Sequence, residues 1–260
     1  MLNVINSFTI FGIEIKFYGL IMSIAMILGL IVACSICKRR DMKKDDIFLL
    51  ALYVLPLALI GARLYYVIFS ASSYSFWEIF EVWKGGMAIY GGVIGGAVGV
   101  TLYCLIHKKN FFNVADIAAT SLILGQAVGR IGCYFGGCCY GLEVTNPSFQ
   151  WFPIATVQAD GLWHLATFFY ESFFDFIIFA GLFIAIKKME KPGSIMALYL
   201  ILYGTVRCVL ETFRDTAEAL FLGNSGIRVS QLLSALIVIA GVVELLLVYR
   251  EKMMKTKKKG

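Results

Sequence analysis

The chain has 260 residues, of which 60% are hydrophobic, and its mean hydropathy is +0.81. A soluble domain of this size could not bury so much apolar surface, whereas a bilayer accepts it directly, so the composition excludes a soluble globular protein. The net charge of +6 would suit nucleic acid only if the basic residues formed a stripe, and most of them sit in short loops between apolar runs instead.

A spanning helix needs roughly 20 apolar residues. Such runs are predicted at 17–37, 47–69, 87–106, 114–135, 166–186, 194–214 and 230–249, which makes the chain an all-α integral membrane protein with seven transmembrane helices. The first run lacks a basic leader and a small-residue cleavage site, so it is read as a retained helix rather than a signal peptide. Four prolines, no low-complexity linker and no repeat period predict one domain over 1–260. Basic residues follow the first helix (Lys38, Arg39, Arg40, Lys43, Lys44), the third (Lys108, Lys109, beside His107), the fifth (Lys187, Lys188, Lys191) and the seventh (Arg250, Lys252, Lys255, Lys257, Lys258, Lys259). The other side carries only Lys16, Lys84 and Arg228, so 16 lysines and arginines face three. The basic side is cytoplasmic, which places the N-terminus outside and the C-terminus in the cytoplasm. The Lys-rich tail reads as an anchor near anionic lipid.

Four arginines remain, Arg63, Arg130, Arg207 and Arg214, and each falls within a predicted span. An arginine at the bilayer centre costs roughly 2.5–3.5 kcal/mol on insertion scales, so it calls for a reason. The topology puts Arg63 in the outer half of helix 2 and Arg130 about 24 Å from the cytoplasmic face of helix 4 at 1.5 Å per residue. Arg207 and Arg214 fall in the outer half and at the outer end of helix 6, while Tyr18 and Tyr90 open helices 1 and 3 at that same face. Tyr203, Arg207, Glu211 and Arg214, spaced 4, 4 and 3, form one stripe. Glu211 neutralises only one arginine, and the remaining guanidiniums suit a phosphate, whose oxygens match their planar fork. A purely structural reading, with arginines stapling helices as ion pairs, stands beside this one. The segment GGMAIYGGVIGGAVG at 85–99 holds Gly91 and Gly92 next to Tyr90. Glycines four apart allow close helix packing, and open backbone at the membrane surface allows a lipid head group to approach. The residues themselves thus reach a membrane protein that binds a phosphate-bearing lipid from outside.

FYGL at 17–20, GARLYYVIF at 61–69, GGMAIYGGVIGG at 85–96, GRIGCYFGGCCYG at 129–141, YES at 170–172, YGTVRCVLETFR at 203–214 and SQLLS at 230–234 resemble the prolipoprotein diacylglyceryl transferase family, in its order and over most of the chain. The resemblance implies transfer of the diacylglyceryl group of phosphatidylglycerol to the lipobox cysteine of a prolipoprotein signal peptide, in the cytoplasmic membrane of a bacterial cell. It implies no cofactor and no metal, and partners that are membrane lipid and lipoprotein precursors, not nucleic acid. On this resemblance Arg130 and Arg207 match the family's two essential arginines, with Arg130 the phosphatidylglycerol contact. Tyr203, Glu211 and Arg214 complete the second stripe, Tyr18 matches the tyrosine of the first YGL, and Gly141 closes the signature. Arg63, Gly91 and Gly92 join the expected lipid-binding set, with Tyr18 and Tyr90 beside the two arginines as catalytic candidates.

Three positions depart from the family pattern: Tyr90 stands for a histidine, Cys133 for an asparagine and Cys138 for a glutamate. Tyrosine, with an ordinary pKa near 10, is a poor base at neutral pH unless arginines lower it. We read these changes as a divergent branch that deprotonates the thiol by other means or uses a related acceptor; a phospholipid-binding protein without turnover is the non-enzymatic alternative. Cys133, Cys138 and Cys139 are expected chiefly as small apolar fillers, with a disulfide or a thiol role as alternatives and zinc disfavoured by spacing. His164 is expected in a wet outer loop, with a role as base as the lesser reading.

Overall fold

The structure, a computed structural model, describes residues 7–10, 13–69, 77, 86–214 and 228–257. A short antiparallel hairpin, β1 (Ser7–Ile10) and β2 (Ile13–Lys16), leads into α1 (Phe17–Ile36). Then follow α2 (Lys44–Phe69), α3 (Ile89–His107), α4 (Phe111–Gly136), the antiparallel pair β3 (Ala155–Val157) and β4 (Trp163–Leu165), α5 (Thr167–Lys188), α6 (Ser194–Leu210) and α7 (Val229–Lys257). All seven predicted spans are present as helices long and apolar enough to cross a membrane. Lys84 and Gly85 lie outside the described residues, as do Lys258 and Lys259.

Local signals account for the helix ends. Asn110 caps α4, its Oδ1 accepting from the backbone N–H of Phe112 at 2.9 Å and Asn113 at 3.3 Å. Asp45 and Asp46 lie in the first turn of α2, where the helix dipole favours negative charge. Helix α3 closes on Lys108 in the left-handed region (φ 51°), whose N–H returns to the Cys104 carbonyl. Many large apolar side chains remain on the surface, such as Leu246 and Ile239 on α7, as lipid contact requires.

The described residues divide into two compact units, 34–117 and the combination of 1–33 with 118–260. In the first, α2 and α3 pack antiparallel with their backbones almost touching. A Cβ on Gly91 would stand 2.2 Å from the Gly61 carbonyl oxygen, and one on Gly95 2.1 Å from that of Leu57. Gly99 likewise faces the backbone of Val54 and Tyr53, so one glycine per turn makes the seam. Arg40, which the sequence places in a cytoplasmic loop, is instead buried at 3% exposure, its Nε 2.8 Å from Asp116 Oδ2. A charge buried in this way needs a partner, and α4 supplies it.

In the second unit α6 and α7 meet through Gly204 and Gly241, each lying under backbone or branched side chains of the other helix. Ser172 Oγ of α5 donates to the Ala127 carbonyl of α4 at 2.7 Å. Such a bond between helices satisfies a hydroxyl that lipid could not.

Candidate active site

The site in the second unit is assembled where α4, α5 and α6 end or begin. Helix α4 carries Arg130 in its last two turns and stops at Gly136. Gly137 (φ 59°) and Cys139 (φ 62°) then take left-handed backbone, which turns the chain back so that Cys139 faces Arg130. A non-glycine residue held at positive φ is unusual, and the surroundings hold this one in place. Thr167 Oγ1, at the start of α5, donates to the Cys139 carbonyl at 2.8 Å. Gly141 follows, its N–H donating to the Leu165 carbonyl at 2.8 Å, while Leu142 N–H donates to Phe213 O at 2.9 Å. Gly141 also bridges Arg214, and a Cβ there would lie 2.5 Å from the Phe213 carbonyl oxygen. Only glycine lets these three strands of backbone meet.

The side chains form a closed ring. Arg130 Nη2 donates to Glu171 Oε1 at 2.6 Å. Arg207 Nη1 donates to both Glu171 oxygens, at 3.0 and 2.9 Å, and its Nη2 to Glu211 Oε2 at 3.1 Å. Arg214 Nη1 lies 3.7 Å from the same Glu211 oxygen, and its Nη2 donates to Cys139 Sγ at 3.2 Å. Arg130 Nη1, 3.5 Å from Cys139 Sγ, completes the circuit. Both carboxylates are nearly inaccessible, at 5% and 3% side-chain exposure, while the arginines keep between 16% and 20%. The guanidiniums of Arg207 and Arg214 therefore border a small cleft that Cys139, Thr167, Glu171, Leu210 and Glu211 also line.

Three arginines and two glutamates leave the ring one positive charge in surplus, unless the Cys139 sulfur is a thiolate. Arg228 donates to the Glu211 main-chain oxygen and Asp175 lies one turn deeper in α5; both stand outside the circuit. Hydrogen bonding from the Cys133 and Cys138 thiols, with the charges of Arg130 and Arg214, holds the Cys139 thiol below its ordinary range, against the opposing effect of burial. The three sulfur atoms lie within 4.8 Å of one another.

A family model for prolipoprotein diacylglyceryl transferase matches residues 6–247. The chain is 39% identical over 258 residues to a Finegoldia magna protein named phosphatidylglycerol–prolipoprotein diacylglyceryl transferase, covering 97% of this chain and 98% of that one. Proteins of the same name from Clostridium botulinum (39% over 241 residues, 91% and 93% covered) and Clostridioides difficile (36% over 239 residues, 91% and 92% covered) are also similar. The chain belongs to the prolipoprotein diacylglyceryl transferase family.

The transferase residues singled out in the sequence fall into two groups. Arg130, Arg207, Glu211, Arg214 and Gly141 are brought together in the ring and its backbone support. Tyr18 opens α1 beside it, its ring edge 3.3 Å from where a Gly132 side chain would begin. Tyr203 lies one turn before Arg207 and stacks on Tyr199, with centroids 5.5 Å apart, while Tyr199 Oη donates to Gln126. The predicted stripe bends at its end, because α6 gives way at Glu211 to a 3₁₀ turn that carries Glu211–Phe213. Arg63, Tyr90, Gly91 and Gly92 belong to the other unit. There Arg63 Nη1 donates to the Gly86 carbonyl at 2.9 Å, Gly91 forms part of the α2–α3 seam, and Tyr90 is 40% exposed beside Tyr65. Gly92 has only ordinary contacts around its missing side chain.

Two sequence expectations need correction. His164 is buried at 5% exposure rather than in a wet loop, and its ring nitrogens face the Gly141 carbonyl at 3.1 Å and Asp160 Oδ2 at 2.9 Å. It supports the turn that carries Gly141. The charge surplus is also smaller than the arginines alone suggest, because Glu171 sits between two of them. Glu171 is a site residue that the arginine stripe alone does not reveal; its signal in the sequence is an acid in an otherwise apolar helix, one turn before Asp175.

Proposed function

We propose that this protein transfers the diacylglyceryl group of phosphatidylglycerol to the lipobox cysteine of prolipoproteins, leaving a thioether and glycerol phosphate. The observation that carries the reading is the ring in which three guanidiniums outnumber two carboxylates beside a cleft, in a chain of this family. The phosphodiester supplies one negative charge and oxygens that accept from Arg130, Arg207 and Arg214. As the acceptor thiolate attacks the glyceryl carbon, the C–O bond to phosphate breaks and negative charge grows on the leaving oxygen. Guanidiniums already oriented by Glu171 and Glu211 stabilise that charge without reorganising, the largest catalytic contribution available to such a site.

Tyr18 and Tyr203 flank this phosphate position in the proposal, and Arg63, Tyr90, Gly91 and Gly92 belong to the lipid-binding surface. The two units form one transferase domain, supported by a single family match that runs through both. The excess of basic residues on one side supports an N-terminus outside and a C-terminus in the cytoplasm, and the family match supports a bacterial cytoplasmic membrane. Purified protein in phosphatidylglycerol vesicles, given a lipobox peptide, tests the reading. The peptide is expected to gain the diacylglyceryl mass at cysteine as glycerol phosphate is released. Phospholipid binding without peptide modification would overturn transfer in favour of a binding protein.

A further inference from the structure

We propose that Cys139 is the base of this reaction, holding the proton of the acceptor thiol and returning it to the leaving phosphate. The inference rests on the transfer reading above and on four features of the site. Cys139 Sγ is the one ring position occupied by a sulfur rather than a carboxylate, and it accepts from Arg130 and Arg214 at 3.5 and 3.2 Å. Three guanidiniums against two carboxylates leave room for one further negative charge, which a thiolate supplies at rest and the phosphodiester replaces when the lipid enters. The backbone holds this residue at φ 62°, with Thr167 fixing its carbonyl, so the residue lines the cleft and its sulfur meets the Arg214 guanidinium there. Cys138 Sγ, 4.0 Å from the Cys133 carbonyl oxygen, and Cys133 Sγ both lie within 4.8 Å of the Cys139 sulfur.

The groups facing the sulfur are Arg130 and Cys133 of α4, Cys138 of the turn, Arg214 after α6 and Tyr18 of α1, whose ring shares the space around Gly136 with Cys138. The arginines and the two thiols favour the thiolate. A thiolate held so firmly is a weak base, and the substrate reverses this. The incoming phosphodiester takes N–H donors from the same two guanidiniums and brings its own negative charge. Cys139 then loses its stabilisation and becomes basic only when the lipid is in place. An acceptor thiol beside it meets a base of the same chemical class, and proton transfer between them is close to balanced, the condition under which general-base catalysis is most effective.

The atoms balance. The Cys139 thiolate takes the acceptor proton; the acceptor sulfur forms the C–S bond; the C–O bond breaks with its electron pair going to the phosphate oxygen. Glycerol phosphate takes the proton from Cys139, and the thiolate again neutralises Arg130 and Arg214. No oxidant or further reactant enters.

The test is transfer by the full chain in phosphatidylglycerol vesicles between pH 6 and 10, comparing wild type with C139S and C139N. Asparagine tolerates left-handed backbone and serves as the control for folding. Both variants are expected to lose about 10²-fold in kcat at pH 7, as removal of a general base does, with KM for phosphatidylglycerol changed little. The deficit closes toward pH 9.5, above the ordinary thiol pKa of about 8.5, where the acceptor ionises unaided. In parallel, iodoacetamide at pH 6 labels Cys139 faster than Cys138, and phosphatidylglycerol suppresses that labelling. A C139S enzyme with wild-type kcat at pH 7 overturns the assignment, and so does a loss that persists unchanged at pH 9.5 in both variants, which would mark a structural role. A wild type silent at every pH overturns the transfer reading and this assignment together; an active wild type with an unimpaired C139S overturns this assignment alone.

Discussion

Replacing Glu171 with glutamine removes one negative charge from the ring while keeping its shape. The carboxylate accepts three hydrogen bonds from two guanidiniums, at 2.6, 2.9 and 3.0 Å, and is 5% exposed. Breaking a buried ion pair by removing one partner costs about 3–5 kcal/mol. Glutamine retains one acceptor oxygen, and the arginines are 16% exposed, so the lower end applies, about 3 kcal/mol. If that loss falls on the orientation of Arg130 and Arg207 in the transition state, kcat drops by roughly 10²-fold at 1.36 kcal/mol per decade. Lipid affinity behaves differently. The surplus of the arginines over the glutamates rises from +1 to +2, so the site attracts phosphate at least as well as before. Glu171→Gln is therefore expected to lose turnover with no rise in KM for phosphatidylglycerol, measured by steady-state transfer across a range of lipid mole fractions. Intact kcat with a raised KM would refute the orienting role given to this residue.

Arg207→Lys keeps the charge but cannot reach both Glu171 oxygens and Glu211 from one nitrogen, and a loss of about 10²-fold in transfer is expected. Gly141→Ala puts a Cβ against the Phe213 carbonyl oxygen; it should lower the unfolding temperature in detergent and cut transfer at least tenfold, by separating Cys139 from Arg214. Gly95→Ala drives a Cβ into the Leu57 backbone and should destabilise by about 1–3 kcal/mol, whereas Gly96→Ala, with nearest atoms at 3.9 Å, should change stability by less than about 0.5 kcal/mol. Equal thermal shifts for those two alanine variants would contradict the α2–α3 seam.

The seven spans were legible because lipid demands long apolar runs, and length alone separates them from other helices. Arg130, Arg207 and Arg214 were legible because a charge inside a span stands out against its neighbours. Glu171 was not, since a carboxylate serves an anion site only by orienting the arginines. Cys139 is legible only as one of three clustered cysteines with a thiol role among the alternatives, because its place in the ring depends on two left-handed residues after α4 that no periodic pattern encodes. The β1–β2 and β3–β4 hairpins have strands of three or four residues, too short for alternation to register. Arg40 looked like one more loop cation because its partner, Asp116, lies 76 residues away. The end of α6 misled by four residues, since Glu211 and Arg214 keep helical spacing through a 3₁₀ turn.

In the proposed reaction the arginine ring binds the phosphate of the donor lipid and stabilises its departure. That role is tested most directly by following label from the diacylglycerol part of phosphatidylglycerol into a lipobox peptide, with wild type and Arg130→Ala side by side. Thioether-linked label on the peptide cysteine is expected with wild type, and a loss of at least about 10²-fold in the variant, on the scale of removing one preorganised donor. Undiminished transfer by Arg130→Ala would contradict that role.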